Sequence, residues 1–269
     1  LQDNRVDPSA NNNLAVREAA EYGRLAVLER LLKDKSVDPS DCNNHAIILA
    51  AENDHLAVVD LLLQDKRVNP SAKNNYAIRL AACEGRVKVV ERLLLDVRVD
   101  PSVDDNFAIR LAVRRNHVKV VERLLQDKRV DPSADYKYVV RWAAINGHVK
   151  VVDLLLEDYR VDPSAFYYAI MWAAENGHVK LVDRLFRVPS VYSTVDLPAD
   201  QLKHLSMIRS RCTEVCNALQ DLGLPALLTL GILDELIPNE IRMWAKWELV
   251  TAVKHFHERQ EKKRLLLKQ

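Results

Sequence analysis

Apolar and polar positions follow two nested periods along this chain. Within Lys73–Pro101, Ala77, Ile78, Ala81 and Ala82 recur at the three- and four-residue spacing of one helix face. Gly85 follows, a residue that readily takes the left-handed conformation with which helices end. Val87, Val90, Leu93 and Leu94 then mark a second, longer helix. Arg98-Val99-Asp100-Pro101 leaves it, because a proline biases the preceding residue toward extended backbone. Asn75 stands at the N-cap of the first helix, where its side chain is expected to accept from a free N–H of the opening turn. The polar stretch that joins one unit to the next predicts a turn-like loop. Each unit therefore reads helix, tight turn, helix, loop.

The outer period is 31 residues. Prolines at 8, 39, 70, 101, 132 and 163 each open the same Pro-Ser step, and the helix pattern repeats behind each of them. Self-similarity at this period means stacked supersecondary units, each burying its apolar face against its neighbours. The product of such stacking is an extended binding surface rather than a catalytic pocket. Leu1–Pro8 matches Leu63–Pro70, the end of a second helix, so the sequence is expected to be part of a longer array.

Tyr76-Ala77-Ile78-Arg79-Leu80-Ala81-Ala82, Glu84-Gly85 and Val89-Val90-Glu91-Arg92-Leu93-Leu94-Leu95 resemble an ankyrin repeat, as does Ala173-Ala174-Glu175-Asn176-Gly177-His178-Val179-Lys180-Leu181-Val182. The resemblance covers residues 1–187. It implies an all-α, ankyrin-type helix-turn-helix solenoid that binds a protein partner on its concave face and loop tips. The family's threonine-proline-leucine-histidine start is absent. The period is also about two residues shorter than the roughly 33 of the family, with the loss in the hairpin loop, so a β-hairpin and a short extended loop both remain compatible with the sequence.

Composition narrows the partners. Apolar residues make up 48% of the chain, enough for a substantial core, and a formal net charge of +1 gives no field that would gather nucleic acid or an anionic membrane. No apolar run is long enough to span a bilayer. Four cysteines, Cys42, Cys83, Cys212 and Cys216, are too few and too irregular for a disulfide framework, which predicts a reducing, cytoplasmic compartment. No phosphate-binding glycine loop, nucleophile elbow or His-Glu-x-x-His helix is present, so no enzyme and no cofactor are expected. His55, His117, His148 and His178 recur with the repeat. Neighbouring units lie about 10 Å apart, too far to share a metal ion at bonds of about 2 Å, so these histidines are expected to make turn-stabilising hydrogen bonds.

The Ala-Ala, Val-Val (or Val-Leu) and Leu-Leu pairs are constant between units and form the expected core, while the outward face of the first helix and the loop tip vary. Along that surface Glu21, Glu52 and Glu84 give way to Arg110, Arg114 and Arg115, and then to Arg141 with loop-tip aromatics Tyr136, Tyr138, Phe166, Tyr167 and Tyr168. Arginine and aromatic residues are the usual anchors of protein interfaces, so Arg110, Arg114, Arg115, Arg141, Tyr136, Tyr138, Phe166 and Tyr167 are the expected partner-binding residues. The alternative is that the tyrosines pack loop on loop and the arginines are a solvated face. Trp142 and Trp172 replace Leu80 and Leu111 at a core phase and are expected to pack inside.

The pattern changes after residue 187. Residues 188–200 read as a proline-marked linker and 201–269 as a helical cap domain. Within it, Leu224-Pro225, Leu228, Ile232-Leu233, Leu236 and Glu240-Ile241 resemble the first half of an F-box, whereas Met243, Trp244 and Trp247 replace the family's usual ending. Ankyrin arrays with such a segment are known from poxviruses, other large DNA viruses and protists. That resemblance implies docking to the linker subunit of a cullin–RING ubiquitin ligase, in the host cytosol if the chain is viral. A cap shielding the last unit is the other reading. Cys212 and Cys216, one turn apart, are expected to be buried thiols. Neither nucleic acid nor membrane is expected as a partner, and the expected state is a monomer.

Overall fold

A computed structural model describes residues 7–133 and 136–188, together with Met207 and Ser210. The expected linker and C-terminal domain, including the F-box-like residues and Cys212 and Cys216, otherwise lie outside the described residues. The chain divides into two compact units, Leu1–Asp135 and Tyr136–Gln269, and the division falls inside the array that the sequence reads as continuous over 1–187.

The first unit holds α1 (Ala10–Glu21), α2 (Leu25–Leu31), α3 (Asp41–Glu52), α4 (Leu56–Gln64), α5 (Ala72–Cys83), α6 (Val87–Leu94), α7 (Val103–Arg114) and α8 (Val118–Gln126). The first helices of the repeats, α1, α3, α5 and α7, pack side by side, and α2, α4, α6 and α8 form a second layer against them. The second unit repeats the scheme with α9 (Tyr136–Ile145), α10 (Val149–Glu157), α11 (Ser164–Glu175) and α12 (Val179–Phe186). All regular structure among the described residues is helical. Turns therefore stand where the family resemblance left room for a hairpin.

The core follows the expected columns, except that the second leucine of the Leu-Leu pair, buried at Leu63, is half-buried at Leu32, Leu94, Leu125 and Leu156. Ala77, Ile78, Ala81 and Ala82 of α5 and Val89, Val90 and Leu93 of α6 are at most 1% exposed, and the same columns are buried in the other repeats except at Ala15 and Val27 of the first, which are exposed. Burying each Val, Leu or Ile contributes about 1.5–3 kcal/mol. The alanine pairs supply little area but let neighbouring first helices approach closely.

The openings of α1, α3, α5 and α7 differ from the expectation. Three consecutive residues in each are left-handed: Asn11–Asn13, Cys42–Asn44, Lys73–Asn75 and Asp104–Asn106, all with φ between 52 and 61°. Each left-handed turn is closed by the N–H of its last Asn donating to a serine carbonyl four residues back, as Asn75 does to Ser71 at 2.9 Å. Such backbone costs roughly 1–2 kcal/mol per ordinary residue and is most accessible to Gly, Asn and Asp. All of these positions except Cys42 and Lys73 are Asn or Asp.

The last Asn of each turn is buried and does not cap its own helix. Its Oδ1 accepts from a backbone N–H of the following loop: Asp38 to Asn13 at 2.9 Å, Asn69 to Asn44 at 2.6 Å, Asp100 to Asn75 at 2.8 Å and Asp131 to Asn106 at 2.9 Å. Asn13 also donates through Nδ2 to Asp41 Oδ2 at 2.9 Å. The N-cap expected of Asn75 is thus corrected. The left-handed turn aims its amide away from the helix and at the next loop, where it satisfies an N–H between a buried valine and a buried proline.

Two further ladders join successive repeats. The Arg98 guanidinium forks onto Asp96, with Nε to Oδ1 at 2.9 Å and Nη2 to Oδ2 at 2.7 Å. It also donates to the carbonyls of Val68 and Leu63 in the previous repeat, at 2.9 and 3.0 Å. Arg67 on Asp65 and Arg129 on Asp127 repeat the fork. The hydrogen bonds from arginine hold the carboxyls of Asp65, Asp96 and Asp127 below the usual carboxylate range. In the third ladder His55 Nε2 donates to the carbonyl of Glu21 at 2.8 Å, His117 to that of Cys83 at 2.8 Å and, in the second unit, His178 to that of Ile145 at 2.7 Å. A carbonyl only accepts, so Nε2 carries the proton. Arg86 takes this role where the repeat lacks histidine, donating from Nε to Glu52 O at 2.9 Å. The imidazole lies flat against the turn that precedes it. A Cβ on Gly85, whose φ is +72°, would stand 2.6 Å from His117 Nδ1.

Three outcomes are expected. Asn75→Gly keeps the left-handed turn free of strain but orphans the Asp100 N–H, so urea unfolding should show a loss of about 1–3 kcal/mol, and Asn75→Ala should lose more. Gly85→Ala, strained and crowded together, should lose more than about 1 kcal/mol. The depressed Asp65, Asp96 and Asp127 carboxyls contribute stability above the unfolded carboxyl pKa of about 3.9. That contribution disappears as pH falls through their lower folded values. Thermal melts should therefore drop across this acid range, and Asp96→Asn with Asp127→Asn should flatten the dependence.

Candidate functional site

The varying side chains of the first helices line up because the repeat returns the same helix face at each step. In the first unit this face runs through Leu14, His45, Tyr76 and Phe107 in one column and Arg17, Ile48, Arg79 and Arg110 in the next. Arg79 is wedged among aromatic rings. Its guanidinium carbon lies 4.5 Å from the Phe107 ring centroid and 5.6 Å from that of Tyr76, and its Nη1 reaches Asp104 Oδ2 at 2.8 Å. Arg110 lies 5.0 Å from the same Phe107 ring and donates to the carbonyl of Asp104 at 2.8 Å. Phe107 therefore has a guanidinium from each of two successive repeats.

The strained turns support these arginines directly. Arg17 donates to the carbonyl of Asn11 at 3.0 Å, as Arg110 does to Asp104, so carbonyls of the left-handed segment orient both side chains. At the far end of the helices the charge changes sign along the stack. Glu21, Glu52 and Glu84 occupy the ends of α1, α3 and α5, and the exposed Arg114 and Arg115 end α7. Burial first, then the cationic Lys73 and Arg17, lower the pKa of His45 on this face.

In the second unit the face is aromatic. Tyr138 and Trp142 of α9 are one turn apart with ring centroids at 5.8 Å, and Tyr168 and Trp172 of α11 repeat the pair at 5.9 Å. Arg141, exposed on α9, brings its guanidinium to 5.4 Å from the Trp172 ring and so bridges the two helices.

These positions correct several expectations. Tyr138, Phe166 and Tyr168 are not at a loop tip but on helices. Phe166 is 2% exposed and belongs to the core, so it is not a surface anchor. The physical reason is a one-residue deletion. Pro163 to Ala173 is ten residues where Pro101 to Ala112 is eleven, and α11 runs on directly from Ser164 without a left-handed turn. Trp142 and Trp172 are half-buried on the first-helix face rather than inside. Leu80 and Leu111, whose column they occupy, are themselves half-buried. Tyr136 opens α9 and Tyr167 lies in α11, but their side chains lie outside the described residues.

Sequence reasoning missed the role of Arg79 and Phe107 and the buried asparagines behind them. The recurrence of Asn at 13, 44, 75 and 106 was the available signal. Among the described residues no group of three or more His, Cys, Asp or Glu side chains converges on a metal-sized site.

A family model described as ankyrin repeats, in three copies, matches the chain over residues 13–105, 78–167 and 109–197, which together span more than half of its length. No curated protein matches it.

Face and core residues are expected to separate in stability measurements. Arg141→Ala and Tyr168→Ala, both exposed, should shift the thermal midpoint by the equivalent of no more than about 1 kcal/mol. Phe166→Ala should cost about 3–5 kcal/mol.

Proposed function

The chain belongs to the ankyrin-repeat family, and from that premise we propose that it is a non-enzymatic scaffold whose first-helix faces hold a protein partner. A protein-interaction role follows from the repeats in general. The finer reading rests on one observation: each unit lines its varying face with arginine stacked on aromatic rings, as Arg79 on Phe107 and Arg141 on Trp172. Exposed aromatics are costly to leave in water, and Tyr76 and Tyr168 are 37% and 50% exposed. Guanidinium groups already oriented by backbone carbonyls lose little freedom on binding, so a few anchors suffice for affinity. Arg110, Arg114 and Arg115 are the proposed anchors of the first unit, and Arg141 and Tyr138 those of the second, with Tyr136 and Tyr167 assigned by sequence. No described helix is long and apolar enough to cross a membrane. We place the chain in the cytoplasm as a monomer.

A second reading makes the scaffold a substrate-recruiting adaptor. Leu224-Pro225, Leu228, Ile232-Leu233, Leu236 and Ile241 support it by their likeness to an F-box, with the repeats holding the target and this segment holding a ubiquitin-ligase linker subunit.

Affinity capture with the whole chain tests both. Arg114→Glu and Arg141→Glu should each lower recovery of the captured partner about tenfold or more, whereas Glu122→Ala on the second-helix layer should leave it unchanged. Equal recovery in all variants overturns the first-helix assignment. Co-purification with the linker subunit, abolished by Leu228→Asp with Ile232→Asp, is the outcome expected of an adaptor. Absence of the linker subunit from the wild-type complex removes that reading.

A further inference from the structure

The second unit carries a surface whose spacing specifies its ligand more closely than a general protein-binding role does. Tyr138–Trp142 and Tyr168–Trp172 are two equivalent aromatic pairs on adjacent, packed helices. Packed helices lie about 8–10 Å apart. A polyproline-II segment rises about 3.1 Å per residue with three residues per turn, so every third side chain returns to the same face after roughly 9 Å. One turn of such a segment laid across α9 and α11 sets one proline on each aromatic pair.

We propose that this face binds a proline-rich polyproline-II segment of a partner protein, with prolines three residues apart on the two Tyr–Trp pairs and a carboxylate between them meeting Arg141. The inference rests on the scaffold reading and names the partner's chemistry at one of its faces. Prolines suit the site because their rings are compact and rigid, and a polyproline-II helix is already ordered before it binds. Arg141 supplies the charge that sets register. It stands between the two pairs, exposed, with its guanidinium 5.4 Å from the Trp172 ring. A carboxylate reaching it gains a charge-assisted hydrogen bond beside an aromatic surface. Single-stranded nucleic acid also stacks on aromatic side chains, but its backbone needs a groove of cations. Among the described side chains this face offers Arg141, and the exposed Glu175 closes the end of α11.

The test is a titration of the whole chain, followed by tryptophan fluorescence, with three probes. One is a synthetic peptide with proline at every third position and glutamate between, another is the same peptide with alanine for proline, and the third is oligothymidylate. The proline peptide should bind and the alanine peptide should bind at least about tenfold more weakly. Arg141→Glu and Trp172→Ala should each weaken the proline peptide by about tenfold or more. Trp172→Phe, which keeps a ring, should retain most of the binding and guards against loss of fold in the alanine variant. Equal binding of the two peptides, preference for oligothymidylate, or no binding at all overturns the proposal. If Arg141→Glu still releases the captured partner while the proline peptide does not bind, the polyproline inference falls and the scaffold reading stands. If Arg141→Glu releases nothing and no probe binds, both fall for this face.

Discussion

The buried asparagine that accepts from the next loop is the interaction on which the first unit depends. Asn13, Asn44, Asn75 and Asn106 are 4–8% exposed, and each accepts from a backbone N–H of the following loop in a part-buried hydrogen bond. A valine on one side of that N–H and a proline on the other are both buried, which limits the access of water to it. The unfavourable left-handed backbone is tolerated because it delivers this amide. A right-handed helix start would turn the side chain toward its own first turn instead. The same distortion directs carbonyls at Arg17 and Arg110, so the element that couples the repeats also orients the surface that meets a partner.

The histidine ladder works at the other end of the helices, at the turn within each repeat, and imposes different residue requirements. Gly23, Gly85 and Gly147 stand under His55, His117 and His178 because an imidazole lies where a Cβ would be. Asp54 holds the same left-handed conformation with a full side chain, and there the following repeat supplies Arg86 in place of a histidine. At these three steps glycine leaves room for the histidine of the following repeat, whereas Asn116 keeps a side chain in the left-handed conformation although His148 follows it in the sequence.

Helix pairs, core columns and the 31-residue step were all legible in the sequence, because apolar spacing encodes burial directly. Ala77, Ile78, Ala81 and Ala82 could be assigned to the core with no knowledge of their neighbours. The role of Asn75 was not legible. Asparagine before an apolar run signals a cap and a left-handed turn equally well, and only the partner at Asp100 distinguishes them. Phe166 was misplaced because one deleted residue rotates a helix register by about 100°, which turns a side chain expected on the surface into the core. Trp142 and Trp172 were placed inside by analogy with leucines that sit at the edge of the face, where a larger ring spreads outward.

Each asparagine bond closes over 25 residues, less than one repeat, and donor and acceptor return together every 31. Contacts of that kind are short in sequence and identical in form, which favours rapid, stepwise ordering from any starting repeat. They also make the array extensible. A duplicated repeat brings both a new amide for the loop ahead and a new loop for the amide behind, so length can grow without any existing bond being redesigned. Lys137 and the shortened repeat after it depart from that rule, and the departure coincides with the aromatic face. Where the repeat stops copying itself, its surface is free to specialise.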